Sequence, residues 1–143
     1  MLYRNVLKFI DRKFNIEPHR VMCDYEKALR NAVKFTWNQS SLLGCWFHYC
    51  QCLRRKFQSI NGMYSLVSTN SKAKKIFQMF LKLPLLPKQS IEKGFDFIIQ
   101  YQHQHKLSEK FLTFNAYFKT IWLNRYSKSF SVFYDRNRTN YYV

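Results

Sequence analysis

The 143-residue sequence predicts an α/β fold in which helices dominate. Apolar residues recur at helical spacing through most of the chain, and two short apolar runs are typical of buried strands. Only three Gly and three Pro interrupt these patterns, while hydrophobic residues make up 47% of the chain. This composition indicates one folded domain rather than a disordered segment.

The first part of the chain alternates between helix and strand patterns. In order, the predicted elements are a helix at 1–14, a strand at 20–23, a helix at 25–33 and a strand at 41–47 that runs into a further helix. The first helix is amphipathic, and its apolar stripe is Leu2, Val6, Phe9 and Ile10. Two strands do not make a full sheet, so either the sheet is completed elsewhere or the protein is helical with a β-ribbon.

The second half is predicted to be mainly helical. Residues 60–71 have the composition of a loop, and a helix follows from residue 72. This helix ends at the sequence LPLLP, because Pro84 and Pro87 do not continue it, and Ser90 is placed to cap the next helix. The last apolar stripe consists of Phe111, Phe114, Phe118, Ile121 and Trp122.

The net charge of +16 predicts attraction to polyanions, of which nucleic acid and anionic membrane surfaces both qualify. No apolar run approaches the ~18 residues that span a bilayer, and the charged start has no signal-peptide pattern, so no membrane partner is expected. The four cysteines are therefore expected to be reduced thiols. The basic residues selected as candidates for nucleic-acid contact are Arg54, Arg55, Lys56, Arg136 and Arg138.

Asp24 lies where the first predicted strand ends and a helix begins. Carboxylates at such strand ends can hold Mg²⁺ or Mn²⁺, because hard cations take oxygen ligands from converging elements. Asp is also a good helix N-cap, and the residue pattern alone favours the cap. Glu26 fits the first turn of the helix, where a negative charge is favourable.

Cys45 and His48 form a Cys-x-x-His pair at a spacing that can serve zinc. A complete zinc site needs four ligands, and no second Cys/His pair stands at finger-like distance. A buried Cys and a hydrogen-bonded His are therefore favoured over structural zinc. The chain contains no P-loop and no GxGxxG, and nothing beyond residue types supports a nucleophilic triad.

Five segments in this order resemble the Mutator-like element (MULE) transposase domain. They are VMCDYEKALRNAV, LLGCWFHYCQCLRRKFQ, LPLLP, FNAYFKTIWL and RNRTN, which together cover about residues 16–140. The resemblance implies an RNase H-like fold with a helical insertion. In that reading the whole chain is one partial domain, with the second half of the core at 1–57, the insertion at 58–125 and a return towards the core at 126–143.

The resemblance also implies DDE chemistry, in which three carboxylates hold two divalent metals for DNA strand cleavage and transfer. Asp24 falls on the second acid of the family, and Cys45 and His48 fall on its Cys-x-x-His signature. The first acid is expected before residue 1 and the third after Val143. Tyr141 replaces the second Asn of the family's Arg-Thr-Asn-Asn segment.

These departures predict a truncated transposase fragment that has no catalytic activity alone, so whether the chain is an enzyme is left open. DNA in the nucleus is the expected partner, and self-association is an open alternative. Mg²⁺ or Mn²⁺ belongs to the intact family site and is not expected to be held by this chain. A non-catalytic basic module that binds nucleic acid or a partner protein is the second hypothesis.

Overall fold

The computed structural model describes residues 2–126, which fold mainly as helices with one small sheet. The predicted helix-dominated α/β class is thus confirmed, whereas an RNase H-like core stays a prediction. The elements are α1 (Leu2–Phe14), β1 (Arg20–Cys23), α2 (Lys27–Thr36), β2 (Ser41–Gly44), α3 (Trp46–Ser59), α4 (Met63–Thr69), α5 (Ser71–Lys82), α6 (Ile91–Gln104) and α7 (Ser108–Phe118). Two short 3₁₀ helices, Leu83–Leu85 and Lys88–Ser90, lie between α5 and α6, and a π-helix, Lys119–Arg125, follows α7.

The chain divides into two compact units, unit 1 (Met1–Tyr49) and unit 2 (Cys50–Val143). In unit 1, β1 and β2 pair in parallel, with Arg20 opposite Ser41 and Cys23 opposite Gly44. A parallel pair needs a crossover, and α2 supplies it between the two strands. Unit 1 is therefore a single βαβ unit preceded by α1.

The bends before both strands are tied together. The Ser40 hydroxyl donates a hydrogen bond to the Pro18 carbonyl, and the Ser41 N–H donates to the His19 carbonyl at 2.9 Å. Pro18 lies in the predicted break after α1, since the residue before a proline is disfavoured in a helix. These bonds fix where the two strands begin, and hence their register.

Unit 2 has a core built from phenylalanine rings. Phe114 of α7 lies 5.2 Å from Phe57 of α3 and 4.9 Å from Phe80 of α5, measured between ring centroids. Phe95 of α6 stacks on Phe118 at 5.6 Å. Helical spacing puts these rings on the inner face of each helix, so aromatic packing holds α3, α5, α6 and α7 together.

A buried amide pair adds specificity to this apolar core. Gln102 on α6 is fully buried, and its Nε2 donates to Asn115 Oδ1 at 3.0 Å. Asn115 Nδ2 returns a hydrogen bond to Gln102 Oε1 at 2.7 Å. Each amide satisfies the other, so this polar contact between α6 and α7 is stable inside the helical unit.

The prediction of a loop at 60–71 is wrong, because Met63–Thr69 forms α4. Gly62 precedes it with φ of 76°, a left-handed conformation that glycine adopts without strain. The Met63 side chain is buried, and α4 packs on α5. Burial therefore outweighs the weak helix preference of the Ser, Thr and Val residues in this segment.

The end of α5 at the LPLLP sequence is confirmed, since the helix stops at Lys82 and Pro84 opens a 3₁₀ turn. Ser90 occupies the N-cap position of α6 as predicted, but its side chain makes no capping hydrogen bond. A side-chain cap is found at α5, where Asn70 accepts hydrogen bonds from the backbone amides of Lys72 and Ala73. The final stripe is buried at Phe111, Phe114, Phe118 and Trp122.

Candidate functional site

The carboxyl ends of β1 and β2 bring together the residues that the sequence selected in unit 1. Asp24 directly follows β1, and Cys45 directly follows β2. The Cys45 N–H donates to the Cys23 carbonyl at 2.9 Å, so the parallel ladder continues to this edge. We call the set Cys23, Asp24, Arg30, Gly44 and Cys45 the strand-end site.

The Asp24 carboxylate is engaged with the chain that follows it. Its Oδ1 accepts a hydrogen bond from the Glu26 N–H at 3.0 Å, which closes an Asx turn before α2. The helix begins at Lys27 with Glu26 as its N-cap residue, so the prediction that Asp24 itself caps the helix is wrong. Because this turn occupies residues 24–26, α2 begins at Lys27 rather than directly after Asp24.

Glu26 does not serve the first helical turn either. Its Oε2 accepts a hydrogen bond from the Tyr3 hydroxyl at 2.8 Å, which joins α1 to the start of α2. This bond and the charge of Glu26 raise the pKa of Tyr3 above its ordinary value of 10.0. Tyr3 thus keeps its proton and remains a donor to Glu26 at neutral pH.

Arg30 is the residue of this site that sequence reasoning missed. Its side chain is buried, and its Nη1 donates to the Asp24 carbonyl at 3.3 Å and lies 3.9 Å from Cys23 Sγ. Its guanidinium also lies 5.5 Å from the ring centroid of Tyr25. The feature of the sequence that could have identified Arg30 is its position. It lies four residues after Glu26, on the face of α2 that carries the buried Val33.

The thiol of Cys23 is neutral in this setting. Burial raises its pKa above the ordinary value of 9.0, although the nearby positive charge of Arg30 acts in the opposite direction. Cys23 and Cys45 of this site are free thiols. A protonated, half-buried thiol is a poor nucleophile and a poor metal ligand.

Gly44 closes the strand-end site because it permits the ring of Tyr25 to lie against the last residue of β2. A Cβ at Gly44 would overlap the Tyr25 ring, with the Cε1 atom only 2.8 Å away. Any larger residue there would displace Tyr25 or separate the strand ends. This glycine is thus required for close packing, a role that the family pattern alone did not assign.

The predicted Cys-x-x-His pair lies on both sides of the start of α3. Cys45 is half-buried beside Cys23, whereas the His48 side chain is exposed and packs edge-on against Phe47 at 5.7 Å. Among residues 2–126, no group of three or more His, Cys, Asp and Glu side chains is arranged to hold a metal ion.

Of the basic residues predicted on α3, Arg54 and Arg55 are exposed and Lys56 is half-buried. The Lys56 ammonium lies 5.3 Å from the ring centroid of Tyr117, and the Lys75 ammonium lies 5.2 Å from that of Tyr101. Both contacts place a cation over an aromatic face within unit 2. Arg136 and Arg138, also predicted to contact nucleic acid, lie outside the described residues.

A long acid-free stretch surrounds these cations. Residues 27–91 contain eleven Lys and Arg residues and no Asp or Glu, whereas all eight acids of the chain lie elsewhere. The helices α3, α4 and α5 fall entirely within this stretch. The solvent-facing sides of α3 and α5 therefore carry positive charge that no acid of the same helices offsets, whereas α4 has no charged residue.

No helix among the described residues is both long and apolar enough to cross a bilayer. Comparison of the chain with models of protein families, with curated proteins and with solved structures gives no match. The two features that bear on function are the strand-end site of unit 1 and the acid-free basic helices of unit 2.

Proposed function

We propose that this chain binds duplex DNA through its phosphates, as a domain related to the Mutator-like transposases, and that it does so in the nucleus. The observation that carries the proposal is the acid-free stretch at 27–91, in which α3 and α5 display cations without opposing charge. Phosphate contacts by Lys and Arg supply most of the affinity in non-specific DNA binding.

The chemistry of the basic helices suits a polyanion. Arg54 and Arg55 project into solvent, where a guanidinium can donate two hydrogen bonds to one phosphate. Lys56 and Lys75 lie over tyrosine rings, which lowers the entropy that these flexible side chains lose on binding. These two lysines are thereby partly preorganised for phosphate contact.

The transposase relationship is supported by the order of residues in unit 1. A strand, an acid, a crossover helix, a second parallel strand and the Cys-x-x-His pair follow one another as the resemblance leads us to expect. Parallel strands end at one edge of the sheet, where α/β proteins commonly bind ligands. Asp24 is the described acid that stands at this edge in the family's pattern.

The described residues do not fit the two divalent metals of a DDE site. Two metals need several carboxylates, whereas the strand-end site offers Asp24 alone, with Oδ1 already bonded to the Glu26 amide. The buried Arg30 also brings a positive charge to the Asp24 carbonyl, which opposes cation binding. We therefore derive no catalytic step through metal, and we expect the 143-residue chain to bind DNA without cutting it.

A salt titration of duplex binding tests the proposal. The logarithm of the binding constant should fall linearly with the logarithm of salt concentration, by about 0.9 for each phosphate contacted. The double variant Arg54→Gln with Arg55→Gln should reduce this slope by about 2 and weaken binding to different duplex sequences equally. Fluorescence anisotropy on a labelled duplex measures both quantities.

The matched control removes the same two charges elsewhere on unit 2. Lys93→Gln with Lys110→Gln changes two exposed lysines that each follow an acid in the sequence, Glu92 and Glu109. This control should lower the salt slope by less than half as much as the α3 variant does. Equal losses in the two double variants would mean that only net charge matters and would reject α3 as the DNA-binding element.

The misfit with a metal site favours the second candidate, a basic module without transposase chemistry. A plasmid-nicking assay with Mn²⁺ tests whether the chain has transposase chemistry at all. Nicking by the wild-type chain that Asp24→Asn abolishes would contradict our expectation of binding alone and would assign a catalytic role to Asp24. Binding without nicking in both proteins is the expected result.

A further inference from the structure

Helix α1 contacts α2 through polar side chains, whereas part of its apolar surface is exposed to solvent. The Tyr3 hydroxyl bonds to Glu26, and Asp11 Oδ1 accepts a hydrogen bond from Trp37 Nε1 at 2.8 Å. Arg4 lies over the ring of Phe35 at 4.4 Å. These polar contacts all reach α2 or its ends, and they set the rotation of α1 about its axis.

The opposite face of α1 is an exposed apolar strip made of Leu2, Val6 and Phe9. Their spacing of four and three residues puts them on one side of the helix. Leu2 is 74% exposed, Val6 47% and Phe9 60%, although the sequence pattern identifies them as a core stripe. Their alignment on one side of the helix makes these exposed residues a candidate interaction surface.

A basic groove adjoins the strip. The open cavity beside Phe9 has a volume of about 470 Å³ and is lined by Asn5, Lys8, Phe9, Arg12 and Lys13. The Lys13 ammonium lies 5.4 Å from the Phe9 ring centroid, so cation and apolar strip are contiguous. The lining contains three cations, one amide and no carboxylate.

We propose that α1 docks the protein on the surface of anionic phospholipid bilayers. Leu2, Val6 and Phe9 enter the boundary between headgroups and acyl chains, while the exposed Arg12 and Lys13 contact lipid phosphates. Helices that lie in this interface combine an apolar strip that contains Phe or Leu with flanking Lys and Arg. This goes beyond the DNA binding proposed above and departs from the sequence-based expectation of no membrane partner.

Other occupants fit this face less well. DNA offers phosphate to the groove but no apolar environment for the aliphatic side chains of Leu2 and Val6. A second copy of the chain would bring Arg12 and Lys13 against the same cations, which repel one another. An anionic bilayer satisfies both the strip and the groove at once.

Vesicle sedimentation with the full chain tests the proposal. The wild-type protein should sediment with phosphatidylcholine vesicles that contain phosphatidylserine and much less with phosphatidylcholine alone. The variant Leu2→Ser with Phe9→Ser should lower the partition coefficient about tenfold. The variant Arg12→Gln with Lys13→Gln should lower it about thirtyfold on anionic vesicles, with little change on neutral ones.

The control variant carries Phe97→Ser with Leu112→Ser, two exposed apolar residues of unit 2. It should bind vesicles like the wild-type protein, and far-UV circular dichroism should match for all four proteins. Equal sedimentation with neutral vesicles, or an equal loss in the control, would overturn the proposal.

Two further results would assign α1 to a different partner. A tenfold loss of duplex affinity in Leu2→Ser with Phe9→Ser would make the face part of a DNA interface. A concentration-dependent dimer that this variant abolishes would make it a contact between copies. The DNA test on Arg54 and Arg55 concerns residues of the other unit, so either proposal can fail without the other.

Discussion

Substitution of Gly44 by Ala should open the carboxyl edge of the parallel sheet. The new methyl group would overlap the Tyr25 ring, whose Cε1 atom lies 2.8 Å from the position that an alanine Cβ would occupy. Tyr25 would then have to leave its place between Gly44 and the guanidinium of Arg30, which lies 5.5 Å from the ring centroid.

The size of the effect follows from two opposing contributions. Overpacking of this kind costs about 1–3 kcal/mol, because neighbouring groups must move. Replacing Gly by Ala also restricts the unfolded chain and offsets about 0.4–1 kcal/mol, since Gly44 has no positive φ that would strain an alanine. With both contributions near the middle of their ranges, the net loss of stability in unit 1 should be about 1–2 kcal/mol.

Amide hydrogen exchange at the strand ends measures this loss locally. The Cys45 N–H is bonded to the Cys23 carbonyl, so its protection reports whether β1 and β2 remain paired. A loss of about 1–2 kcal/mol corresponds to a fall in the protection factor of about fivefold to thirtyfold. Amides of the α6 and α7 core in unit 2 should keep their protection and serve as the internal reference.

A double-mutant cycle with Tyr25→Ala identifies the cause. Once the ring is absent, Gly44→Ala should be neutral or slightly stabilising, because the clash has gone and the backbone effect remains. An unchanged protection factor at Cys45 in Gly44→Ala would refute the packing argument. The same loss in the Tyr25→Ala background would show that the methyl group acts through something other than the ring.

Two further predictions concern buried groups. Gln102→Leu should destabilise unit 2 by about 1–3 kcal/mol in urea unfolding, because Asn115 loses both amide hydrogen bonds, and adding Asn115→Leu should recover part of the loss. Cys23 should contribute stability that is intact below its unfolded pKa of 9.0 and is lost as pH rises towards its raised folded pKa, since burial favours the neutral thiol. Alkylation by iodoacetamide should accordingly begin at higher pH than for a free thiol, and an alkaline decline in stability that persists unchanged in Cys23→Ala would contradict this assignment.

Local patterns were enough to predict much of unit 1. The run at 20–23 is β1 with the predicted bounds, although its residues are exposed or half-buried rather than buried as predicted. Asp24 follows it in the Asx turn that ends the strand. The second predicted strand, 41–47, is shorter, since β2 ends at Gly44 and Trp46 already begins α3. Aromatic residues suit both strands and helices in a short apolar run, so composition could not separate them.

Tertiary contacts decided what local patterns could not. Arg30 belongs to the strand-end site because α2 crosses over between the strands and places its Nη1 within hydrogen-bond distance of the Asp24 carbonyl. Spacing along the chain does not specify this contact. The outward apolar strip of α1 was predicted as a stripe but not as a surface, because periodicity reveals a face without revealing what covers it. The hydrogen bonds of Tyr3 and Asp11 with residues of α2 and its ends settle that orientation.

The phenylalanine core of unit 2 also constrains how fast its parts can move. Phe114 is fully buried and has rings from α3, α5 and its own helix around it, including Phe57 at 5.2 Å and Phe80 at 4.9 Å. A ring in so dense a setting turns over only when its neighbours withdraw together, because close-packed interiors leave no room for a lone rotation. The two edges of the Phe114 ring should therefore exchange slowly on the NMR timescale. The ring-flip rate measures how often the surrounding helices move apart together.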